Sequence, residues 1–280
     1  MEVAGNSRRT WVVSLLMAPL LAGANVQDPR SAPPSLVTLA EKEEFLLKAD
    51  IVGETPPSGG RPLRITLHDG RRKHDAVVQI STSSDPGQPD HRRNIAAYEL
   101  DKALELNLVA PSVERTVNGE PAAVTWWVDD VVMSEQGRRA KNVEPPDPET
   151  WSKQMQAVRV FDELTANAYR KISPGFYTSS VWDNLLITKA WRIWLIDHTR
   201  TFAPTRRLEE SGSLIRCDRA MLAKLRALNR DALQQRVGRF LTPEQVDALE
   251  LRRVLIVTHF DEQIANKGEG IVLYDLPPRQ

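Results

Sequence analysis

Asp197 closes the run Trp194-Leu195-Ile196, three residues of buried type. An ionised carboxylate directly after such a run needs a partner or a metal ion to offset its desolvation. The alternative is an ordinary charge at a strand end. Other groups that could do chemistry are few. The five histidines (His68, His74, His91, His198 and His259) show no metal-ligand spacing. Ser81, Ser83 and Ser84 lie in a polar turn with no His or Asp pattern beside them, so a hydrolase triad has no support. The one cysteine, Cys217, excludes an intrachain disulfide and a multi-thiolate metal site, and it reads as a bystander between charged neighbours. Trp126-Trp127 and the pair Trp191/Trp194 read as core rather than a carbohydrate platform. The run Arg138-Arg139-Ala140-Lys141 reads as a solvated loop.

The elements that must position these groups can be read in order. The chain has 280 residues, 41% of them hydrophobic, with 37 basic and 37 acidic side chains. That suffices for a sizeable core, and zero net charge excludes the basic footprint of a nucleic-acid binder. Arg8-Arg9, the apolar run 11–21 and Ala22-Gly23-Ala24 have the pattern of a secretory signal peptide over 1–24, followed by a Pro-rich flexible linker over 25–40. The expectation is a protein exported to the periplasm (in a bacterium) or the exterior. No other segment is long and apolar enough to cross a membrane.

Strands are expected over 45–52, 63–67 and 75–80, the last two joined by the His68-Asp69-Gly70 turn. A helix over 94–106 buries Ile95, Tyr98, Leu100, Leu104 and Leu106, and strands over 112–117 and 122–128 flank Asn118-Gly119. A long helix is expected over 148–168, then short strands over 185–188 and 193–196. From 218 onward the pattern is mostly helical, with a clear start at Thr242-Pro243-Glu244-Gln245. Strands with one helix come first, then helices with one hairpin. The fold class is therefore α+β, in two lobes: 41–130, a connector over 131–148, and 149–277.

With the elements in this order, several motifs resemble the atypical branch of the protein-kinase-like fold, the phosphatidylinositol-kinase-like and secreted Four-jointed and Golgi-casein-kinase-like proteins. They are Val160-Phe161-Asp162-Glu163-Leu164, Asn167, Asp183-Asn184-Leu185-Leu186-Ile187, and Trp194-Leu195-Ile196-Asp197-His198 with Phe202. The stretch 94–101 is similar to that family's regulatory helix, and Val109-Ala110-Pro111-Ser112-Val113 to the step after it. The resemblance implies ATP with magnesium or manganese as cofactor. Asp197 would be the main metal ligand and Asn184 the second, with Gln79, Glu99 and Trp127 around the nucleotide.

The resemblance also implies that charge has been lost at three places. The phosphate-pairing lysine position reads Gln79, which can donate hydrogen bonds but carries no charge. Its acidic partner aligns with Asn94, with Glu99 near by. The base position aligns with Tyr169, and a phenol is a poor base at neutral pH. Asp183 or Asp162 as substitute base, and Lys48 or Arg64 as substitute cation, stay open. The expectation is a catalytically impaired kinase-like module that binds a nucleotide, a metal or a partner protein; an active, divergent phosphotransferase is the alternative.

Overall fold

A computed structural model describes Met1 and residues 38–57, 63–81, 90–167 and 181–277, with backbone only at 181 and 182. The expected signal peptide, nearly all of the linker, and Tyr169 lie outside the described residues. Thr38 to Gln280 form one compact body.

The first element is a helix where a strand was expected over 45–52. α1 spans Leu39–Lys48, and Thr38 and Glu41 form a reciprocal capping box at its start. Good helix formers follow, and Phe45 and Leu46 bury one side against the sheet. Only the end of the expected strand survives, in β1 (Asp50–Thr55).

β1, β2 (Leu63–His68), β3 (Lys73–Ile80), β4 (Ser112–Val117) and β5 (Glu120–Trp126) make an antiparallel sheet in the order β1-β2-β3-β5-β4. The Asn118-Gly119 turn has both residues at positive φ (52° and 86°), as a two-residue hairpin requires. Alternation sorts the sheet's faces. Ile65, Leu67, Ala76, Val78, Val113 and Val124 pack on α1, while Arg64, Thr66, Asp75, Val77 and Gln79 face the other way.

α2 (Arg92–Leu104) starts two residues earlier than expected and stops at Glu105, which takes a left-handed conformation. It is buried nearly all round and joins the core of the C-terminal half rather than that of the sheet. The expected connector contains structure of its own. β6 (Val131–Ser134) pairs with β7 (Leu185–Thr188), which pairs with β8 (Ile193–Leu195). The expected solvated loop at Arg138–Lys141 is mostly helix: α3 spans Glu135–Ala140, and a fully buried Glu135 draws Arg138 and Arg139 onto it at 2.6 and 2.7 Å. The carboxylate buried below them is what the run of charges concealed.

α4 spans Pro148–Leu164, capped by Asp147 and four residues shorter than expected. α5 (Arg219–Ala227), α6 (Arg230–Val237) and α7 (Pro243–Lys267) complete the helical part, with the expected capping box at Thr242. A short helix, α8 (Glu269–Val272), leads to β10 (Leu273–Tyr274), which runs parallel to β9 (Cys217–Asp218).

Candidate functional site

Three of the sequence-nominated residues meet in one hydrogen-bonded ring. Gln79, on the face of β3 turned away from α1, donates through Nε2 to Asp197 Oδ1 at 3.2 Å. Asn94, buried in the first turn of α2, donates through Nδ2 to Gln79 Oε1. Its Oδ1 accepts the backbone N–H of His198 at 2.5 Å, which closes the ring back to Asp197. The three-residue β8 ends just short of Asp197, which sits at φ +53° with its carboxylate exposed. Thr199 supplies a further donor, Oγ1 to Asp197 Oδ1 at 2.7 Å. Because the carboxylate is exposed, solvent rather than a buried partner offsets its charge, and the amide and hydroxyl orient it.

Asn184 ends a 3-10 turn over Val181–Asn184, and its carbonyl accepts the Ile196 N–H at 3.0 Å. That bond sets it across the ladder from the residue before Asp197. Asp183 accepts from Ser134 Oγ at 2.8 Å and is exposed. Among the described residues no three His, Cys, Asp or Glu side chains group to hold a metal. The donors that the resemblance implies, Asp197 and Asn184, are a carboxylate and an amide, both oxygen ligands. By donor chemistry such a set suits magnesium or manganese, which keep several coordination positions for water and phosphate.

Glu99 is turned elsewhere. It lies five residues beyond Asn94, roughly 140° round the helix, and its carboxylate accepts from Lys102 Nζ at 2.9 Å. Lys102 and Tyr98 also bond to Glu43 on α1, at 2.9 and 2.7 Å. Trp127 stands at the other end of the sheet's open face. Arg64 lies 4.0 Å over its ring, donates to Asp75 Oδ2 through Nε at 2.8 Å, and pairs with the same carboxylate through Nη2. Of the two substitute cations, Arg64 shares the face that carries Gln79, whereas Lys48 pairs with Glu44 on the exposed side of α1. Asp162 accepts from Asn167 Nδ2 at 3.0 Å.

One cluster was missed. Ser81 Oγ lies 2.8 Å from His91 Nδ1 and 3.3 Å from Asp90 Oδ1, so the polar turn does have a His and an Asp beside it. Nine intervening residues hid the juxtaposition. The hydroxyl also accepts the His91 backbone N–H at 2.9 Å, and Asp90 accepts the Arg92 N–H at 2.9 Å. These bonds tie the end of β3 to the start of α2 and do not line up a nucleophile. His91 Nε2 is buried and makes no hydrogen bond among the described residues, and burial holds the imidazole below its usual value.

The chain beyond Asp197 is pinned. Phe202 N–H donates to Thr165 O at 2.6 Å. Arg252, fully buried on α7, donates to the carbonyls of Leu164, Ala203 and Thr205 at 2.9, 3.1 and 2.6 Å. Burial lowers that guanidinium to about 10, with Glu163 opposing the shift. Glu163 in turn accepts the N–H groups of Glu209 and Glu210 at 2.8 and 3.0 Å. Cys217 is buried, and burial raises its thiol well above the ordinary value, which removes it as a nucleophile.

A hydra Fam20 protein, solved with sugar, superposes with a TM-score of 0.60 at 16% identity, covering 87% of this chain and 94% of that one. The Golgi casein kinase with Mn/ADP bound gives 0.58 at 14% identity, over 86% and 80%. The chain has an atypical protein-kinase-like fold. The Helicobacter pylori proinflammatory kinase CtkA has this kinase-like fold too, with a TM-score of 0.51 at 9% identity over 79% and 98% of the two chains. No family model matches the sequence, and no curated protein matches it. In the kinase-like fold, the ring around Asp197 lies between the five-stranded sheet and the β6–β8 hairpin region. Among the described residues no helix is long and apolar enough to cross a membrane.

Proposed function

We propose that the chain is an exported kinase-fold protein whose cleft holds a nucleotide or a partner protein without moving phosphate. A magnesium or manganese ion on Asp197 and Asn184 would bridge and neutralise the phosphates of a bound nucleotide. The observation that carries this reading is the Gln79–Asn94 amide pair, bonded to each other, with Gln79 donating to Asp197 and Asn94 accepting the His198 N–H. A lysine and a glutamate at these places would bring a full charge to the phosphates; two amides bring hydrogen bonds alone. Tyr169 at the base position adds to the argument from the sequence. The Golgi casein kinase neighbour bound to Mn/ADP supports nucleotide and metal use, and the Arg8-Arg9 start with its apolar run supports export to the periplasm or the exterior.

Arg64 favours a second reading, a divergent phosphotransferase with a relocated cation. It is a cation on the same sheet face as Gln79. Against it, the guanidinium is held by Asp75 and stacked on Trp127, directed along the sheet away from Gln79's contact with Asp197.

The test is a thermal-shift titration with ATP plus manganese or magnesium, alongside an assay for phosphate release. Stabilisation that disappears in Asp197→Ala, without turnover, is the expected result. The double variant Gln79→Lys/Asn94→Glu should bind ATP more tightly than the wild type, by about tenfold for one restored charge-assisted contact of about 1.4 kcal/mol. Turnover by the wild type, lost in Asp197→Ala and in Arg64→Ala, would establish the second reading. Absence of any nucleotide effect would leave only the protein-partner half of the proposal.

A further inference from the structure

At the end of the sheet's open face remote from Asp197, Arg64, Asp75 and Trp127 form a unit of their own. The Arg64 guanidinium lies 4.0 Å over the Trp127 ring, donates through Nε to Asp75 Oδ2 at 2.8 Å, and pairs with the same oxygen through Nη2. Asp75 Oδ1 accepts from Thr66 Oγ1 at 2.7 Å. Burial works against ionisation of Asp75, but the bonds from Thr66 and Arg64 outweigh it and hold the carboxyl below its ordinary value. The guanidinium is thus fixed along one edge by a carboxylate and on one side by an indole. Both partners of the stack stay partly in solvent: the Arg64 side chain is 43% exposed and Trp127 38%.

Hydrogen-bond donors at this end are largely committed to the protein. Trp126 N–H donates to Pro111 O at 2.8 Å, and Trp127 N–H to Asp75 O at 3.1 Å. Nε and Nη2 of Arg64 and the Thr66 hydroxyl are all directed to Asp75. What the unit offers a ligand is a flat surface rather than a bonding edge.

The spacing suits a nucleotide. Asp75, Val77 and Gln79 are alternate residues on one face of β3, so Asp75 lies about 13 Å along the strand from Gln79, the donor to Asp197. An extended nucleoside triphosphate spans a comparable length between its base and its outer phosphates. Val77, between the two ends, is apolar and partly exposed.

We propose, building on the reading of the cleft as a nucleotide site, that the Arg64–Trp127 stack is the platform for the base and takes purine nucleotides without distinguishing adenine from guanine. Guanidinium planes and indoles both stack on nucleobases, and stacking tolerates base identity because every base has a π-face. A purine presents a larger face than a pyrimidine and gains more from it. Telling adenine from guanine needs donors and acceptors aimed at the base edge, and those are the groups already spent. Arg64 then serves the base end of the ligand, while the phosphates lie toward Gln79 and Asp197.

The experiment is isothermal titration of the full chain, in manganese, with ATP, GTP, UTP and inorganic tripolyphosphate. ATP and GTP are expected to bind within about threefold of each other and several-fold more tightly than UTP. Arg64→Met should weaken both purine nucleotides about tenfold and leave tripolyphosphate unchanged, and Trp127→Leu should do the same. Arg64→Lys, which keeps the charge and loses the plane, should bind ATP as Arg64→Met does. A cooperative melt of each variant establishes that it is folded. Unchanged ATP affinity in Arg64→Met and Trp127→Leu would overturn the platform and leave the cleft a nucleotide site. Equal losses of ATP and tripolyphosphate in folded Arg64→Met, or full recovery by lysine, would overturn it by moving the cation to the phosphates. A preference beyond about tenfold between ATP and GTP would overturn it by showing that a base edge is read. No binding of any nucleotide would overturn it together with the nucleotide half of the proposed function.

Discussion

Gln79 donates to Asp197 and accepts from Asn94, whose oxygen accepts the His198 N–H, so neutral amides close a ring that a lysine and a glutamate would close with charge. The residues of this ring were nominated from sequence because motif order survives where chemistry has drifted. The Ser81–His91 contact was not, because pairing across nine residues is a property of the β3–α2 junction rather than of any local pattern. His91 carries the residue-scale prediction. Its buried imidazole is held below the usual value of 6.5, so the unfolded chain takes up a proton first as pH falls. Stability is therefore fully present above about pH 6.5, declines as pH drops below it, and levels off beneath the folded value. Asp90 and Glu114 oppose this shift and Arg92 adds to it. In His91→Gln, the melting temperature should fall less between pH 7 and pH 5 than in the wild type. Parallel profiles would show that His91 contributes nothing to the slope.

Periodicity served the helices and strands unequally. β3 and β5 were visible as short apolar runs next to the turn signals His68-Asp69-Gly70 and Asn118-Gly119, and α7 because Thr242-Pro243-Glu244-Gln245 is a complete start signal. α1 carries a capping box of the same kind at Thr38 and Glu41. It was read as a strand because the apolar pair Phe45-Leu46 runs into the β-branched Ile51-Val52, and a short apolar run does not declare its period. α3 was hidden by its charges. At this scale the pinned segment after Asp197 makes the prediction. Arg252 on α7 holds the carbonyls of Leu164, Ala203 and Thr205, joining the end of α4 to the residues that follow the cleft. Arg252→Met fills much of the space but leaves buried carbonyls without donors, and should cost about 3 kcal/mol in urea denaturation. Arg252→Lys should recover only part of this, because an ammonium cannot reproduce the fork that spans several carbonyls. Full recovery by lysine would show that the charge near Glu163, rather than the bonds, was the stabilising element.

Two hydrophobic cores divide the molecule, and α2, from the first half of the chain, contributes its apolar side chains to the larger one. One core is the five-stranded sheet with α1. The other holds α4 to α7, the β7–β8 hairpin and, from the first half of the chain, α2 with Leu106, Leu108 and Val109. The segment after α2 is stitched to β8, with Leu195 N–H on Leu108 O at 2.8 Å and Ala110 N–H on Leu195 O at 3.2 Å. α2 packs on β4 and β5 as well as on α5 and α6, but its buried apolar side chains lie in the larger core. The expected outcome is that Asn94 and Asp197 move together, with Gln79 the member of the ring carried by the sheet. Opening of the cleft should break the Gln79–Asp197 bond and keep the bond from His198 N–H to Asn94. Native-state hydrogen exchange resolves this directly. Amides of α2 should exchange with the same high protection as those of α4 and α7, while β1 and β2, farther from the second core, should exchange earlier. If α2 exchanged together with β1 and β2, the helix would be moving with the sheet.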